Sequence, residues 1–301
     1  MKATHMAAIS RRSDPPPARS AQDPMRQITI AITRWRGSDF EAASDELVAE
    51  EPLEVRLRDG QGNARSLAVI MRTAGHDEEL AMGFLFTEGL LCDRGEIAAL
   101  AAGLDEDGLP SPNILDITPS ANAVPSRRVE DGGYSRAFAV NASCGVCGKN
   151  SVAAACAAFP TVPVGAGAVP AQTLYRLPEQ LRSRQDVFSA TGGLHAAALF
   201  DLGGNLLAVR EDVGRHNAVD KLIGRAVLDG TLPLNQRILL VSGRMSFEIA
   251  LKSLAAGIPI VAAVSAPSSL AVEMCAAGGV TLIGFLRSET MNVYTHGERV
   301  R

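Results

Sequence analysis

Between Ile238 and Phe285 short aliphatic runs alternate with helix-like stretches at a nearly constant spacing, and this rhythm restricts the fold more than any other feature of the chain. Ile238–Val241, Ile258–Val264 and Val280–Phe285 read as strands, with Ser246–Ala256 and Ser268–Ala277 as helices between them. Continuous apolar runs bounded by turn residues are strands buried on both faces. Strands joined by helices of this length, with only a few connecting residues, form a parallel sheet covered by helices. Gly257 and Gly278 stand where helices end in left-handed backbone. Upstream, Ala196–Asp201 and Leu206–Arg210 predict a hairpin about Gly203-Gly204-Asn205, and Asn217–Leu228 predicts a helix.

The first half of the chain is patterned differently. Ile28–Ile32 alternates as a strand, and Leu53–Arg58 and Ser66–Arg72 read as strands flanking Asp59-Gly60-Gln61-Gly62-Asn63. Asp77–Leu91 reads as a helix with acids in its first turn and Leu80, Phe84 and Thr87 at helical spacing. Residues 102–132, rich in Gly, Pro, Asp and Ser, read as a long loop holding one strand near Ile114, and the polar stretch Ala171–Arg184 carries a short helix. Residues 1–25 include Arg11-Arg12-Ser13-Asp14-Pro15-Pro16-Pro17 and few large apolar groups, as in a disordered tail. The expected organisation is a tail (1–25), a strand-rich N-terminal part (26–140) and an α/β/α domain (141–301).

A formal net charge of -4 gives no attraction to a phosphate backbone, and 4% aromatic residues leave little surface for stacking bases. No apolar run reaches the roughly 18 residues needed to span a bilayer. The N-terminus lacks the apolar core of an export signal, so a cytoplasmic location is expected. There the five cysteines (Cys92, Cys144, Cys147, Cys156, Cys275) stay reduced, and their odd number argues against a disulfide scaffold.

Chemistry concentrates at Ser143-Cys144-Gly145-Val146-Cys147-Gly148-Lys149, a Cys-x-x-Cys loop between glycines that leads into an apolar helix start at Val152–Ala158. Thiols at a helix N-terminus, with a lysine nearby, are driven towards thiolate. Metal binding, disulfide exchange and sulfur transfer all use such a pair. Zinc needs further ligands, yet no histidine lies between His76 and His195 and no C-x-E precedes the pair, which disfavours a deaminase-type zinc site. A thioredoxin-like site would sit early in a small domain, usually with an aromatic neighbour. Two incidental thiols would not need the glycines. Sulfur transfer fits best: a low-pKa thiolate accepts a persulfide sulfur, and a second thiol assists its release.

Polar segments crowd the strand ends, where parallel sheets bind ligands. Arg210-Glu211-Asp212-Val213-Gly214-Arg215-His216-Asn217-Ala218-Val219-Asp220-Lys221 marks a strand-to-helix junction that is equally readable as a binding edge or as a salt-bridged helix start. Single histidines such as His195 and His216 are more often structural. Ser242-Gly243-Arg244-Met245-Ser246-Phe247-Glu248 follows the next strand, with Ser246 as a natural N-cap and Arg244 suited to clamping a phosphate. Ser265-Ala266-Pro267-Ser268-Ser269 repeats this arrangement, and together the three segments suggest one anion-binding rim.

From about Pro52 to Thr295 these segments closely resemble the FdhD family of formate dehydrogenase accessory sulfurtransferases. The resemblance rests on Met71-Arg72-Thr73 with Glu79-Leu80-Ala81-Met82-Gly83-Phe84, on Cys144-Gly145-Val146-Cys147-Gly148 and on Glu211-Asp212-Val213-Gly214-Arg215-His216. It continues through Ser242-Gly243-Arg244-Met245-Ser246-Phe247-Glu248, Ser265-Ala266-Pro267, and Gly284-Phe285 ahead of Asn292-Val293-Tyr294-Thr295. It implies a dimer with a cytidine-deaminase-like α/β/α layer, mostly parallel in its C-terminal strands and without the deaminases' zinc. It implies that sulfur comes as a persulfide from a cysteine desulfurase and goes to the molybdenum or tungsten bis(molybdopterin guanine dinucleotide) cofactor, a bound substrate with a GDP-like moiety, before its insertion into apo formate dehydrogenase. No permanent metal is implied. Cys144 would carry the persulfide and Cys147 would support it. The cofactor-binding segment maps to Phe285-Leu286-Arg287-Ser288-Glu289-Thr290, where only Arg287 is positive and Glu289 would face phosphates badly. Arg215, His216, Arg244 and Arg287 are expected to hold the pyrophosphate and guanine ends. The alternatives are a non-catalytic cofactor chaperone and a zinc-dependent nucleotide deaminase.

Overall fold

A computed structural model describes residues 26–120, 159–163 and 167–301. The tail at 1–25 and the Cys144–Cys147 loop with its following helix lie outside the described residues. Within them the fold is mixed α/β with three sheets.

The largest sheet runs in the order β12-β11-β10-β9-β7-β8. Its strands are β7 (His195–Asp201), β8 (Leu206–Asp212), β9 (Arg237–Val241), β10 (Ile260–Ala263), β11 (Thr281–Gly284) and β12 (Asn292–Thr295). Parallel pairing is confined to β9–β10 and β10–β11, as the alternating rhythm requires. The expectation of mostly parallel strands needs correction: β7–β8, β7–β9 and β11–β12 are antiparallel. The tight turn at Gly203-Gly204-Asn205 permits only an antiparallel pair, and β12, not read from the sequence as a strand, doubles back along β11.

One face of this sheet packs against α5 (Arg215–Leu228), α6 (Phe247–Ala255) and α7 (Ser269–Gly278), and the other against α2 (Ala171–Tyr175) and α3 (Leu177–Arg182). Ser246 and Ser268 cap α6 and α7 by accepting bonds from Ile249 N and Ala271 N. The left-handed residue closing α7 is Gly279 (φ 75°), one position beyond the expected Gly278.

A second sheet, ordered β4-β3-β6-β5, contains β3 (Glu51–Arg58), β4 (Ala64–Arg72), β5 (Ile97–Leu104) and β6 (Pro110–Pro119). The strand expected near Ile114 within 102–132 is β6, and residues 121–132 lie outside the described residues; its partner β5 was not expected, since Ile97–Leu104 is alanine-rich and weak in strand propensity, but pairing along β6 overrides that preference. A separate two-stranded sheet joins β1 (Gln27–Arg36) to β2 (Asp39–Val48), whose polar sequence gave no strand signal.

Helix α1 (Asp77–Thr87) joins the two larger sheets. Leu80 to Leu85 are all buried, because the helix is covered by the second sheet on one side and by α5 on another. It stops short of the expected Leu91 as the chain turns at Gly89 (φ 72°). Its crossing with α5 is backbone to backbone: a Cβ on Gly83 would lie 1.9 Å from Asp220 O, and one on Gly224 1.7 Å from Glu79 O. The Gly224→Ala variant should therefore lose about 3 kcal/mol of stability, at the upper end for overpacking, seen as a lower urea midpoint with an unchanged slope.

Candidate functional site at the strand ends

Antiparallel β7 starts where parallel β9 ends, so Ala196 is opposite Ser242 and His195 is beside Gly243, and the ends of β8, β10 and β11 lie along the same edge. The connecting loops are tied together. Met245 N donates to Ala266 O (3.2 Å), Ser268 N to Met245 O (3.0 Å), Phe285 N to Ser265 O (3.1 Å) and Leu286 N to Ala263 O (3.0 Å). Two of the three segments expected to share a rim are thus tied to each other and to the turn after β11, and the third reaches them through His216, beside Ser246.

Buried ion pairs hold that rim on its support. Arg210 grips Glu79 of α1 through two bonds, Nε to Oε2 at 2.6 Å and Nη2 to Oε1 at 2.7 Å. Burial alone would raise the Glu79 carboxyl, but hydrogen bonds from Arg210 and His76, and their charges, bring it to about 2. Lys221 Nζ lies 2.7 Å from Asp212 Oδ2 and donates to Thr73 O at 2.9 Å. Asp212 also accepts from Thr73 N, Gly214 N and the Asn217 amide, which in turn donates to Met71 O. The dense segment 210–221 is therefore largely structural: Arg210, Asp212, Asn217, Asp220 and Lys221 bind the second sheet and α1 to α5. Its remaining members, Arg215 and His216, are left for the rim.

His216 Nε2 lies 3.1 Å from Ser246 Oγ and 3.7 Å from Glu248 Oε2. Burial, then the charges of Arg215 and Lys252, lowers its pKa to about 4 against the opposing pull of Glu248. At neutral pH the ring is uncharged, so its approach to Glu248 is a polar contact and not an ion pair. His195 is also pushed downward by burial and by Arg215, with Asp212 opposing. Arg215 is half-buried, and its Nε is buried without a hydrogen-bond partner among the described residues. A histidine neutral in the fold and protonated in the unfolded chain destabilises the fold as pH falls from 6.5 towards 4, by about 3 kcal/mol for a shift of this size. The Glu79 contribution, complete above pH 4.5, fades as pH falls towards 2 and so acts in the same direction. His216→Asn should flatten the stability–pH curve between 6.5 and 4, measured by urea midpoints across that interval.

A cleft of about 710 Å³ opens beside the rim. Leu286, Arg287 and Ser288 form one side with His195, Ser242 and Gly243, while α3, α4 (Asp186–Thr191) and the link between them contribute Glu179, Arg182, Phe188 and Gln185. Ser242 Oγ is committed to the fold, accepting from Ala196 N at 2.9 Å. The start of α4 is fixed by buried Glu211, whose carboxylate accepts from Val187 N (3.2 Å) and Phe188 N (2.9 Å). Burial raises the Glu211 carboxyl pKa, and these two bonds oppose the rise. Phe188 carries the Arg182 guanidinium over its ring, 4.4 Å from the centroid.

The predicted residues separate into three groups. Leu286, Arg287 and Ser288 line the cleft; Arg215 and His216 open α5 and Arg244 lies in the loop after β9, both beside the rim; Cys144 and Cys147 lie outside the described residues. Phe285 is exposed with left-handed backbone (φ 53°), and Arg287 N bonds Thr290 O (2.9 Å) in a tight turn that also displays Glu289. The residues contributed by α3 and α4 were absent from the sequence reading. Helices this short carry no useful periodicity, and only the polar character of Ala171–Arg184 hinted at them. Among the described residues no group of His, Cys, Asp and Glu could hold a metal ion, and no helix is long and apolar enough to cross a membrane.

Comparison with known families matches residues 48–301 to the FdhD/NarQ family. The chain belongs to that family. A sulfur carrier protein FdhD from Mycolicibacterium paratuberculosis is 51% identical, the match covering 89% of this chain and 97% of the relative. Its namesake from Streptomyces coelicolor is 48% identical, covering 89% and 94%. A crystal structure of a candidate formate dehydrogenase accessory protein from Desulfotalea psychrophila aligns with a TM-score of 0.67 at 22% identity, covering 92% of this chain and all of that one. At that identity the structural match speaks for the FdhD/NarQ fold.

Proposed function

We propose that this chain is a cytoplasmic sulfur carrier for formate dehydrogenase maturation, acting as a sulfurtransferase with Cys144 as its persulfide site. The observation that carries the reading is the polar strand-end edge with its adjoining cleft, in a chain whose family relatives are named sulfur carriers. The Cys144 thiolate attacks the terminal sulfur of a cysteine desulfurase persulfide, the donor's inner sulfur leaves as thiolate, and Cys144 becomes a persulfide with no net redox change. The terminal sulfur then passes to the molybdenum or tungsten bis(molybdopterin guanine dinucleotide) substrate. The Cys147 thiolate drives this release by attacking the inner sulfur of the Cys144 persulfide, so that the terminal sulfur leaves as hydrosulfide to the substrate and a Cys144–Cys147 disulfide remains, which a cellular thiol reductant reopens.

Arg215, Arg244 and Arg287 supply charge for the substrate's pyrophosphates, and Phe285–Thr290 bounds its position. His216, neutral at physiological pH, serves as a hydrogen-bonding group there and adds no charge. The sheet with helices on both faces is read as a cytidine-deaminase-like layer adapted to work without that family's zinc, in a homodimer that hands its product to apo formate dehydrogenase.

Incubation with a cysteine desulfurase, cysteine and pyridoxal phosphate should add about 32 mass units, one sulfur atom, to the peptide containing Cys144. Label confined to Cys92 or Cys275, or no label, overturns the assignment.

A further inference from the structure

Among the described residues β1 and β2 pair only with each other, so each strand has a free edge, and this ribbon ends where the FdhD/NarQ match begins, at residue 48. A two-stranded ribbon is marginal in water unless a further strand or a helix covers it. Here β2 packs against α4, whereas Ile28 and Ile30 of β1 stay 48% and 38% exposed. The two edges differ in charge. β2 carries Asp39, Glu41, Asp45 and Glu46, charges of the kind that block further pairing, while β1 has no charged residue from Gln27 to Thr33. Ile28, Ile30, Ile32 and Arg34 alternate onto one face. Arg34 makes one hydrogen bond among the described residues, to Ser44 O at 3.2 Å, which leaves guanidinium N–H groups for a further acceptor.

We propose that the free edge of β1 takes an extended segment of another protein as a third, antiparallel strand, one with an acid followed at alternate positions by three aliphatic residues. The aliphatic side chains cover Ile32, Ile30 and Ile28, the carboxylate meets Arg34, and main-chain bonds along the edge supply affinity without regard to sequence. A second copy of this chain fits poorly. The antiparallel register that matches all three isoleucines of two copies sets Arg34 of each opposite Arg26 of the other, like charge on like charge. Residues 1–25 fit no better, since they bring Arg11, Arg12 and Arg19 and three consecutive prolines that cannot donate to a ladder. Because β2 packs on α4, which walls the cleft, the bound protein is held next to the site. The inference does not depend on the sulfur-transfer reading.

The probe is the peptide acetyl-Glu-Thr-Val-Thr-Val-Thr-Val-Thr-amide, titrated into the full chain. Fluorescence of Trp35, the chain's single tryptophan and the residue after Arg34, reports binding. A saturable change is expected. A peptide with lysine in place of the glutamate should bind about fivefold more weakly, because a like-charge pair replaces an opposite one. Arg34→Gln should bring the two peptides to equal affinity. Ile30→Lys, at an exposed position opposite Asp45, leaves the ribbon folded and should bind neither peptide. No response to the glutamate peptide, equal affinity of the wild-type chain for both peptides, an unchanged preference in Arg34→Gln or undiminished binding by Ile30→Lys overturns the assignment. So does dissociation of a homodimer by Ile30→Lys in sedimentation, which gives the edge to a second copy.

Discussion

Lys252→Met should destabilise the protein by about 3–5 kcal/mol, the usual consequence of stranding one member of a buried ion pair. Lys252 Nζ donates to both carboxylate oxygens of Asp220 at 2.8 Å and to Thr87 Oγ1 at 2.8 Å, and all three residues are buried. They come from α6, α5 and α1, so this one ammonium ties three helices together. Without it, Asp220 keeps, among the described residues, the Thr87 hydroxyl at 3.0 Å as its side-chain partner. Desolvation already raises the Asp220 pKa despite Lys252, and a variant lacking the lysine should bury the protonated acid. The Lys252→Met/Asp220→Leu pair should lose much less than the sum of the single variants, since apolar replacements of similar volume often match a buried pair. Urea denaturation of the four proteins completes the cycle. Full additivity would show that the pair is not coupled and that the helices are held by packing alone.

That triad also marks a boundary in what the sequence could disclose. The parallel core of the large sheet was legible because β9 to β11 are buried on both faces and separated by helices with recognisable caps. Ser246, Ser268 and Gly257 punctuate the chain by local chemistry that needs no tertiary context. The elements that escaped are those whose identity depends on distant partners. Ile97–Leu104 becomes a strand through β6, and β2 shows no apolar alternation; α1 was legible as a helix, but its burial on more than one side was not, because two remote layers close over it. The same limit applies to the site. Arg210, Asp212 and Lys221 stand out as polar residues at a strand end, but only the fold shows that Glu79 and Thr73, more than a hundred residues earlier, engage them structurally. Sequence motifs identify chemistry held in one short segment, whereas a cleft assembled from α3, α4 and the β11 edge belongs to the three-dimensional arrangement.

Cys144→Ala should abolish maturation of formate dehydrogenase in a strain lacking its endogenous carrier, with activity falling at least a hundredfold and no sulfur label on the purified variant. Removing the attacking thiolate eliminates the covalent step, and no neighbouring group restores a bond that cannot form. Cys147→Ala should be milder. Loading of Cys144 needs only the first thiolate, so the variant should still gain one sulfur while releasing it more slowly, with reduced maturation and a longer-lived persulfide. This asymmetry separates transfer from simple binding. A chaperone that used the cysteines as metal ligands would suffer comparably from either loss and would never accumulate sulfur. One that ignored them would mature the enzyme normally in both variants. Cys144→Ser sharpens the comparison because it preserves size and polarity but provides no thiolate at physiological pH. Wild-type maturation by Cys144→Ser would remove sulfur transfer from the account and leave the strand-end cleft as a binding site alone.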